Sequence, residues 1–211
     1  MVLMPQILRV SPQSPDHAVI REAAQMIRDG LVVAYPTDTL YGLAVDPRNA
    51  AAIRRLFELK GRPDSSALTL IAADLVHVRA AGEMTPQAER LAERWWPGPL
   101  TLVIGARSIL AREMLAGGRT VGIRVPDHAV AIALARDTGF AITATSANRS
   151  GATAASSADA VAAALPDVDA ILDAGPVRGG APSTIVDASV TPVALIREGA
   201  VAWDKVLKSA H

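Results

Sequence analysis

The chain has 211 residues, 50% of them hydrophobic, and its 21 Lys+Arg balance 21 Asp+Glu for a formal net charge of +0. At roughly 100–200 residues per domain this is one large domain or two small ones, able to bury a core and not disordered as a whole. The charge balance gives no global field that would draw it onto nucleic acid or an acidic membrane, and the lack of cysteine excludes disulfides, zinc ribbons, thiol nucleophiles and iron–sulfur sites.

Aromatic residues are few, so the core has to be built from Ala, Val, Leu and Ile. Ser14-Pro15-Asp16 reads as an N-cap with Pro at the first helical turn; Ile20, Ala23, Ala24 and Ile27 share a helical face, and Gly30 ends it. Leu31–Tyr35 reads as a buried strand stopped by Pro36, and Leu40–Val45 as a second, with a polar loop between. Asn49 caps a helix with Ile53, Leu56 and Phe57 inward, closed by Gly61. A strand at Leu68–Ala72 follows, then a helix opened by Thr85-Pro86 that carries Ala88, Leu91, Ala92 and Trp95, and a turn at Trp96-Pro97-Gly98-Pro99.

Leu100–Gly105 and Val121–Val125 read as strands, and Asp127 as the cap of a helix that Gly139 closes. One strand is expected over Phe140–Thr145, a helix over Ala158–Leu165, strands at Ala170–Asp173, Thr184–Val186 and Val193–Arg197, and a short helix near Trp203. Irregular alternation of strands and helices predicts an α/β fold with a mixed sheet, as a single domain over 1–211. No apolar run approaches the ~18 residues of a membrane span, the N-terminus has no signal-peptide pattern, and the zero cysteine count suits a reducing cytoplasm.

Four polar segments interrupt the apolar strands. Tyr35–Leu43 sets Thr37, Asp38 and Thr39 between two apolar runs, either as an ordinary Asx/ST turn or as a cluster at a sheet edge. Lys60-Gly61-Arg62-Pro63 lies at an expected exposed helix exit, where cations answer the helix dipole or both reach one anion. Arg124 lies within the apolar Val121–Pro126; it is an edge-strand arginine reaching solvent or a fork for a carboxylate or phosphate. Thr143–Gly151 ends a strand in small hydroxyl and amide residues, as a polar turn or as a place where backbone N–H groups approach phosphate. No P-loop, dinucleotide fingerprint or nucleophile elbow is present, and the four histidines are scattered outside these segments, so neither a catalytic triad nor a metal site is expected.

In this order the segments resemble the threonylcarbamoyl-AMP synthase (YrdC) family, from about Leu31 to Gly199. The carrying stretches are Tyr35–Thr39 with Tyr41-Gly42-Leu43, Lys60–Pro63, Pro97–Thr101, Gly122–Pro126, Ser146-Ala147-Asn148 with Ser150-Gly151, Ser183–Asp187, and Arg197-Glu198-Gly199. The resemblance implies a twisted mixed parallel/antiparallel sheet flanked by helices around a large concave cavity. It implies a reaction in which L-threonine, bicarbonate and ATP, with Mg²⁺, give threonylcarbamoyl-AMP and pyrophosphate. The threonylcarbamoyl group then passes, through a separate transfer complex, to adenosine 37 of ANN-decoding tRNAs.

By the same resemblance Thr39, Arg124, Thr143, Ala144 and Ser183 bind L-threonine. Lys60, Arg62, Ser66, Ser146, Asn148 and Arg197 bind ATP, with Lys60 and Arg62 catalytic. After Lys60-Gly61-Arg62-Pro63 the family has Lys or Asn and then Pro-Leu, where this chain has Ser66-Ala67-Leu68, which weakens one phosphate contact. The family's longer branch has a second C-terminal domain; the chain stops soon after Gly199 and matches the single-domain form. Two rivals are a non-catalytic module binding tRNA or double-stranded RNA, which the neutral charge disfavours, and a carbamoyl-phosphate enzyme of hydrogenase maturation, whose zinc-finger cysteines are missing.

Overall fold

A computed structural model describes residues 4–61, 67–177 and 179–210. From the N-terminus, β1 (Gln6–Arg9) leads into α1 (His17–Arg28), then the hairpin β2 (Val33–Pro36) and β3 (Tyr41–Ala44), α2 (Ala50–Lys60) and β4 (Thr69–Ile71). Next come α3 (Leu75–Ala81), β5 (Gly82–Glu83), α4 (Pro86–Trp95), β6 (Leu100–Ala106), a 3₁₀ turn at Arg112–Leu115 and β7 (Thr120–Arg124). The chain continues through α5 (Ala129–Thr138), β8 (Ile142–Thr143), β9 (Thr145–Ser146), α6 (Ala158–Ala164), β10 (Ala170–Asp173), β11 (Thr184–Asp187), β12 (Ala194–Arg197) and α7 (Trp203–Ser209).

The strands form two mixed sheets, where the sequence suggested one. The first runs β1-β10-β2-β3-β9 and the second β12-β11-β6-β7-β4-β8, with β5 beside β6. The stretch expected as a single strand over Phe140–Thr145 is what joins them. Ile142 and Thr143 pair antiparallel with β4, and Thr145 and Ser146 pair antiparallel with β3, so the chain changes sheets at Ala144. The Thr143 hydroxyl makes the change possible: it accepts from the Val45 amide at 2.9 Å and donates to the Leu43 carbonyl at 3.0 Å, standing in for a strand partner along β3.

Each amphipathic helix buries the face its periodicity assigns. In α1 the buried residues are Ile20, Ala23, Ala24 and Ile27, packed with α5 (Val130, Ala131, Leu134 and Ala135 buried) against one face of the first sheet. In α2 they include Ile53, Leu56 and Phe57, which join the main core with β3, β4 and β6. Alanines fill half of the buried positions named in α1 and α5, whereas α2 buries Ile53, Leu56 and the aromatic Phe57.

Several local expectations change. Asp16, not Ser14, caps α1, because its carboxylate accepts from the Ala18 and Val19 amides. The cap of α5 is His128, with no side-chain hydrogen bond, rather than Asp127. Pro36 is the last residue of β2, paired with Tyr41 of β3, so the strand ends at the proline rather than just before it. The sequence reading passed over β1, a short edge strand, and α3, which Asp74 caps through the Val76 and His77 amides. No helix among the described residues is long and apolar enough to cross a membrane.

Candidate functional site

A cleft of about 360 Å³ opens between the two sheets. The β2–β3 hairpin and β9 supply one wall, with Thr37, Thr39, Tyr41 and Ser146; the second sheet supplies the other, with Thr69, Thr101, Arg124, Ser183 and Arg197. The only formal charges in this lining are the two arginines, so among the described residues the cleft favours anions.

The hairpin turn is locked by its own side chain. The Thr37 hydroxyl donates to the Leu40 carbonyl at 2.7 Å and accepts from the Thr39 and Leu40 amides at 3.2 Å, with the Thr39 hydroxyl 3.1 Å away. This is the ST turn that Thr37-Asp38-Thr39 suggested, and it holds Thr39 toward the cleft while turning Asp38 toward β7. Arg124 Nη1 lies 2.8 and 2.9 Å from the two Asp38 carboxylate oxygens. Arg124 is 8% exposed, so it is not an edge-strand residue reaching solvent.

Lys60 corrects an expectation. It is 3% exposed rather than displayed at a helix exit, and it is not part of the cleft lining. Its ammonium donates to the Ser146 carbonyl and, at 2.8 Å, to the Asn148 carbonyl, while its own carbonyl accepts from the Ser150 amide at 2.8 Å. Asn148 is likewise turned inward: Nδ2 donates to the carbonyls of Arg149 and Ala152, and Oδ1 is buried with no hydrogen-bond partner among the described residues. The Lys60 and Ser146–Asn148 elements are therefore one unit, a loop wound around the C-terminus of α2, from which the Ser146 side chain reaches the cleft. Gly61, in the left-handed region at φ 58°, lets the chain leave the helix there.

Thr143 does not line the cleft. It is fully buried, its hydroxyl is held between Leu43 and Val45, and its carbonyl accepts from the Tyr35 phenol at 3.0 Å. Burial pushes the Tyr35 phenol well above its usual range, against the pull of the Arg124 charge, so it stays a neutral donor. Ala144 does line the cleft, clamped by Thr69: its amide donates to the Thr69 carbonyl at 2.8 Å and its carbonyl accepts from the Thr69 hydroxyl at 2.5 Å.

On the opposite wall the Ser183 and Thr101 hydroxyls are 2.8 Å apart, and Arg197 Nη2 donates to the Ser183 carbonyl at 2.8 Å. The buried Thr184 knits this corner, its hydroxyl donating to the Val201 carbonyl and accepting from the Gly199 and Val201 amides. Gly199 is needed for close approach: a Cβ there would lie 2.1 Å from the Pro182 carbonyl oxygen. Gly199→Ala is expected to cost roughly 1–3 kcal/mol by overpacking. That lowers Tm by about 2–12 °C, measurable by thermal unfolding, and loosens Arg197 and Ser183 together.

Thus Thr39, Arg124, Ala144, Ser146, Ser183 and Arg197 come together in one cleft, Lys60 and Asn148 stand behind it, and Thr143 is buried beneath. Arg62 and Ser66 lie outside the described residues. Two participants escaped the sequence reading of roles: Thr69, a lone hydroxyl in an apolar strand, and Asp38, a carboxylate noticed only as part of a turn. His128, one of the four scattered histidines, has a buried Nδ1 with no hydrogen-bond partner among the described residues; burial lowers its pKa, while Asp38 and Asp127 act the other way.

The threonylcarbamoyl-AMP synthase of Pyrococcus abyssi is 38% identical over 191 residues, 90% of this chain and 56% of that protein, so the chain spans little more than half of that relative's length. The crystal structure of P. abyssi Sua5 complexed with L-threonine matches with a TM-score of 0.90 at 36% identity, over 96% of this chain and 60% of that one. The crystal structure of E. coli YciO matches with a TM-score of 0.84 at 28% identity, over 94% of this chain and 98% of that one. The family model Sua5_yciO_yrdC, described as telomere recombination, matches residues 25–199, and the chain belongs to this Sua5/YciO/YrdC family.

Proposed function

We propose that the chain makes threonylcarbamoyl-AMP and pyrophosphate from L-threonine, bicarbonate and ATP, acting as a nucleotidyltransferase over residues 1–211. The observation that carries this reading is the meeting in one cleft of a carboxylate-binding arginine, small hydroxyls and a second arginine, which are the groups that an amino acid beside a triphosphate requires. The similarity to a Sua5 crystallised with L-threonine supports it.

Arg124 receives the threonine carboxylate, and Thr39, Ser183 and the Ala144 backbone receive its amine and hydroxyl. Ser146 and Arg197 face the phosphates, a role that the family resemblance gives to Arg62 and Ser66 as well. Lys60 and Asn148 act on ATP through the loop they hold, not by touching it. The threonine amine adds to bicarbonate with loss of water, and the resulting carbamate oxygen attacks the α-phosphorus as pyrophosphate leaves. Positioning and charge neutralisation suffice, because the nucleophile is made from the substrates.

Mg²⁺ in this reading travels with the triphosphate: among the described residues no three Asp, Glu or His side chains converge to hold an ion. The product is labile and acylating, so a transfer complex in the cytoplasm delivers it to tRNA. Pyrophosphate release is expected to need L-threonine and bicarbonate together. Serine lacks one methyl, worth ~1–3 kcal/mol, and is expected to be a poor substrate rather than a dead one. Release that ignores the amino acid, or salt-dependent RNA binding without any release, would replace this reading with another.

A further inference from the structure

Arg124 and Asp38 come from different sheets. Arg124 ends β7 in the second sheet, and Asp38 sits in the turn between β2 and β3 in the first, yet their charged groups meet at 2.8 and 2.9 Å. Both carboxylate oxygens face the same nitrogen, Nη1. Nε and Nη2 have no hydrogen-bond partner among the described residues. Arg124 lines the cleft and Asp38 does not. The carboxylate therefore grips the guanidinium at one nitrogen from outside the cleft, leaving the opposite edge of a planar fork for the cavity.

The surroundings make the grip rigid. The Asp38 and Arg124 side chains are only 14% and 9% exposed. The turn carrying Asp38 is fixed by the four Thr37 hydroxyl contacts, and Tyr35, two strand positions before that turn, is fully buried with its phenol tied to Thr143. A guanidinium with no partner at Nη1 rotates about several torsions, and each alternative orientation takes its free edge away from an incoming carboxylate.

We propose that Asp38 is a positioning residue for amino-acid recognition, fixing the plane of Arg124 so that its free edge meets the substrate carboxylate. The inference rests on the reading of Arg124 given under Proposed function. It assigns a role to the acidic member of the Thr37-Asp38-Thr39 turn, which touches no substrate itself.

If Asp38 acts through Arg124, its removal matters only while Arg124 is present. The test is calorimetric titration of L-threonine and, separately, of ATP into wild type, Asp38→Ala, Asp38→Asn, Arg124→Gln and the double variant Asp38→Ala/Arg124→Gln, with Tm recorded for each. Expected is a ~10-fold or greater loss of threonine affinity in Asp38→Ala, a smaller loss in the nearly isosteric Asp38→Asn, and ATP affinity held within about 2-fold in both. On the Arg124→Gln background, Asp38→Ala is expected to add less than about 2-fold. Wild-type threonine affinity in both Asp38 variants, an equal loss on both backgrounds, or a parallel loss of ATP affinity overturns the proposal. Threonine binding that is absent in wild type, or unchanged in Arg124→Gln, instead removes the underlying reading and this inference with it.

Discussion

Arg124→Lys is expected to raise the KM for L-threonine by ~10–100-fold, as loss of a charge-assisted hydrogen bond worth ~1.5–3 kcal/mol implies, while ATP affinity measured without threonine stays nearly unchanged. The structure sharpens the reason. A lysine keeps one positive charge, but Asp38 already claims the nitrogen nearest to it. An ammonium held there has no second edge to offer the cleft, whereas a guanidinium can hold Asp38 and a second carboxylate at once. Arg124→Ala is worse in a second way. It leaves Asp38 Oδ1 buried without a cation, and breaking such a pair costs on the order of 3 kcal/mol or more. Tm should then fall by about 6 °C or more, at 2–4 °C per kcal/mol for a chain of this size. Separate threonine and ATP titrations beside a thermal melt check both variants; normal threonine affinity in stably folded Arg124→Lys removes this residue from the site.

Lys60→Met is expected to behave as a structural change first and a nucleotide change second. The methionine keeps the stem but abandons the carbonyls of Ser146 and Asn148. Two acceptors left without their charged donor cost roughly 2–6 kcal/mol in all, at ~1–3 kcal/mol each. At 2–4 °C per kcal/mol that is a Tm drop of about 4–24 °C. ATP affinity should fall as well, because Ser146 reaches the cleft from the loop that Lys60 holds. A lysine that touched phosphate directly would show the reverse pattern, losing ATP affinity with Tm intact. Thermal unfolding and nucleotide titration on the same sample separate the two.

The helices were the most legible part of the fold, because their signals are local. The Asn49 cap, the Ile53–Leu56–Phe57 face and the left-handed Gly61 all stand as the sequence suggested. The caps of α1 and α5 were missed by one or two residues, since Ser14, Asp16, Asp127 and His128 crowd each start and only the backbone geometry chooses among them. Division of the strands into two sheets was not legible. It turns on Ala144, a residue with no pattern of its own, and on the Thr143 hydroxyl taking a place that a strand would fill.

The site divides in the same way. Motif residues that end strands or turns, namely Thr39, Arg124, Ser146, Ser183 and Arg197, do reach the cleft. Lys60 looked like a displayed cation because helix ends are usually solvated; its burial follows from the return of Ser146–Ser150 across the helix end, 86 residues later in the chain. The Asp38–Arg124 pair spans another 86 residues and two sheets, a distance over which spacing carries no information.

In the proposed reaction bicarbonate carbon, threonine and AMP end in one molecule. The decisive experiment is to incubate the protein with L-threonine, ATP and ¹³C-bicarbonate and analyse the mixture at once by mass spectrometry. Expected is an ion with the mass of threonylcarbamoyl-AMP, shifted by one heavy carbon against the unlabelled control and absent when threonine is omitted. An adenylate that forms without the label, or AMP and pyrophosphate produced with no threonine-linked adenylate at all, would contradict it.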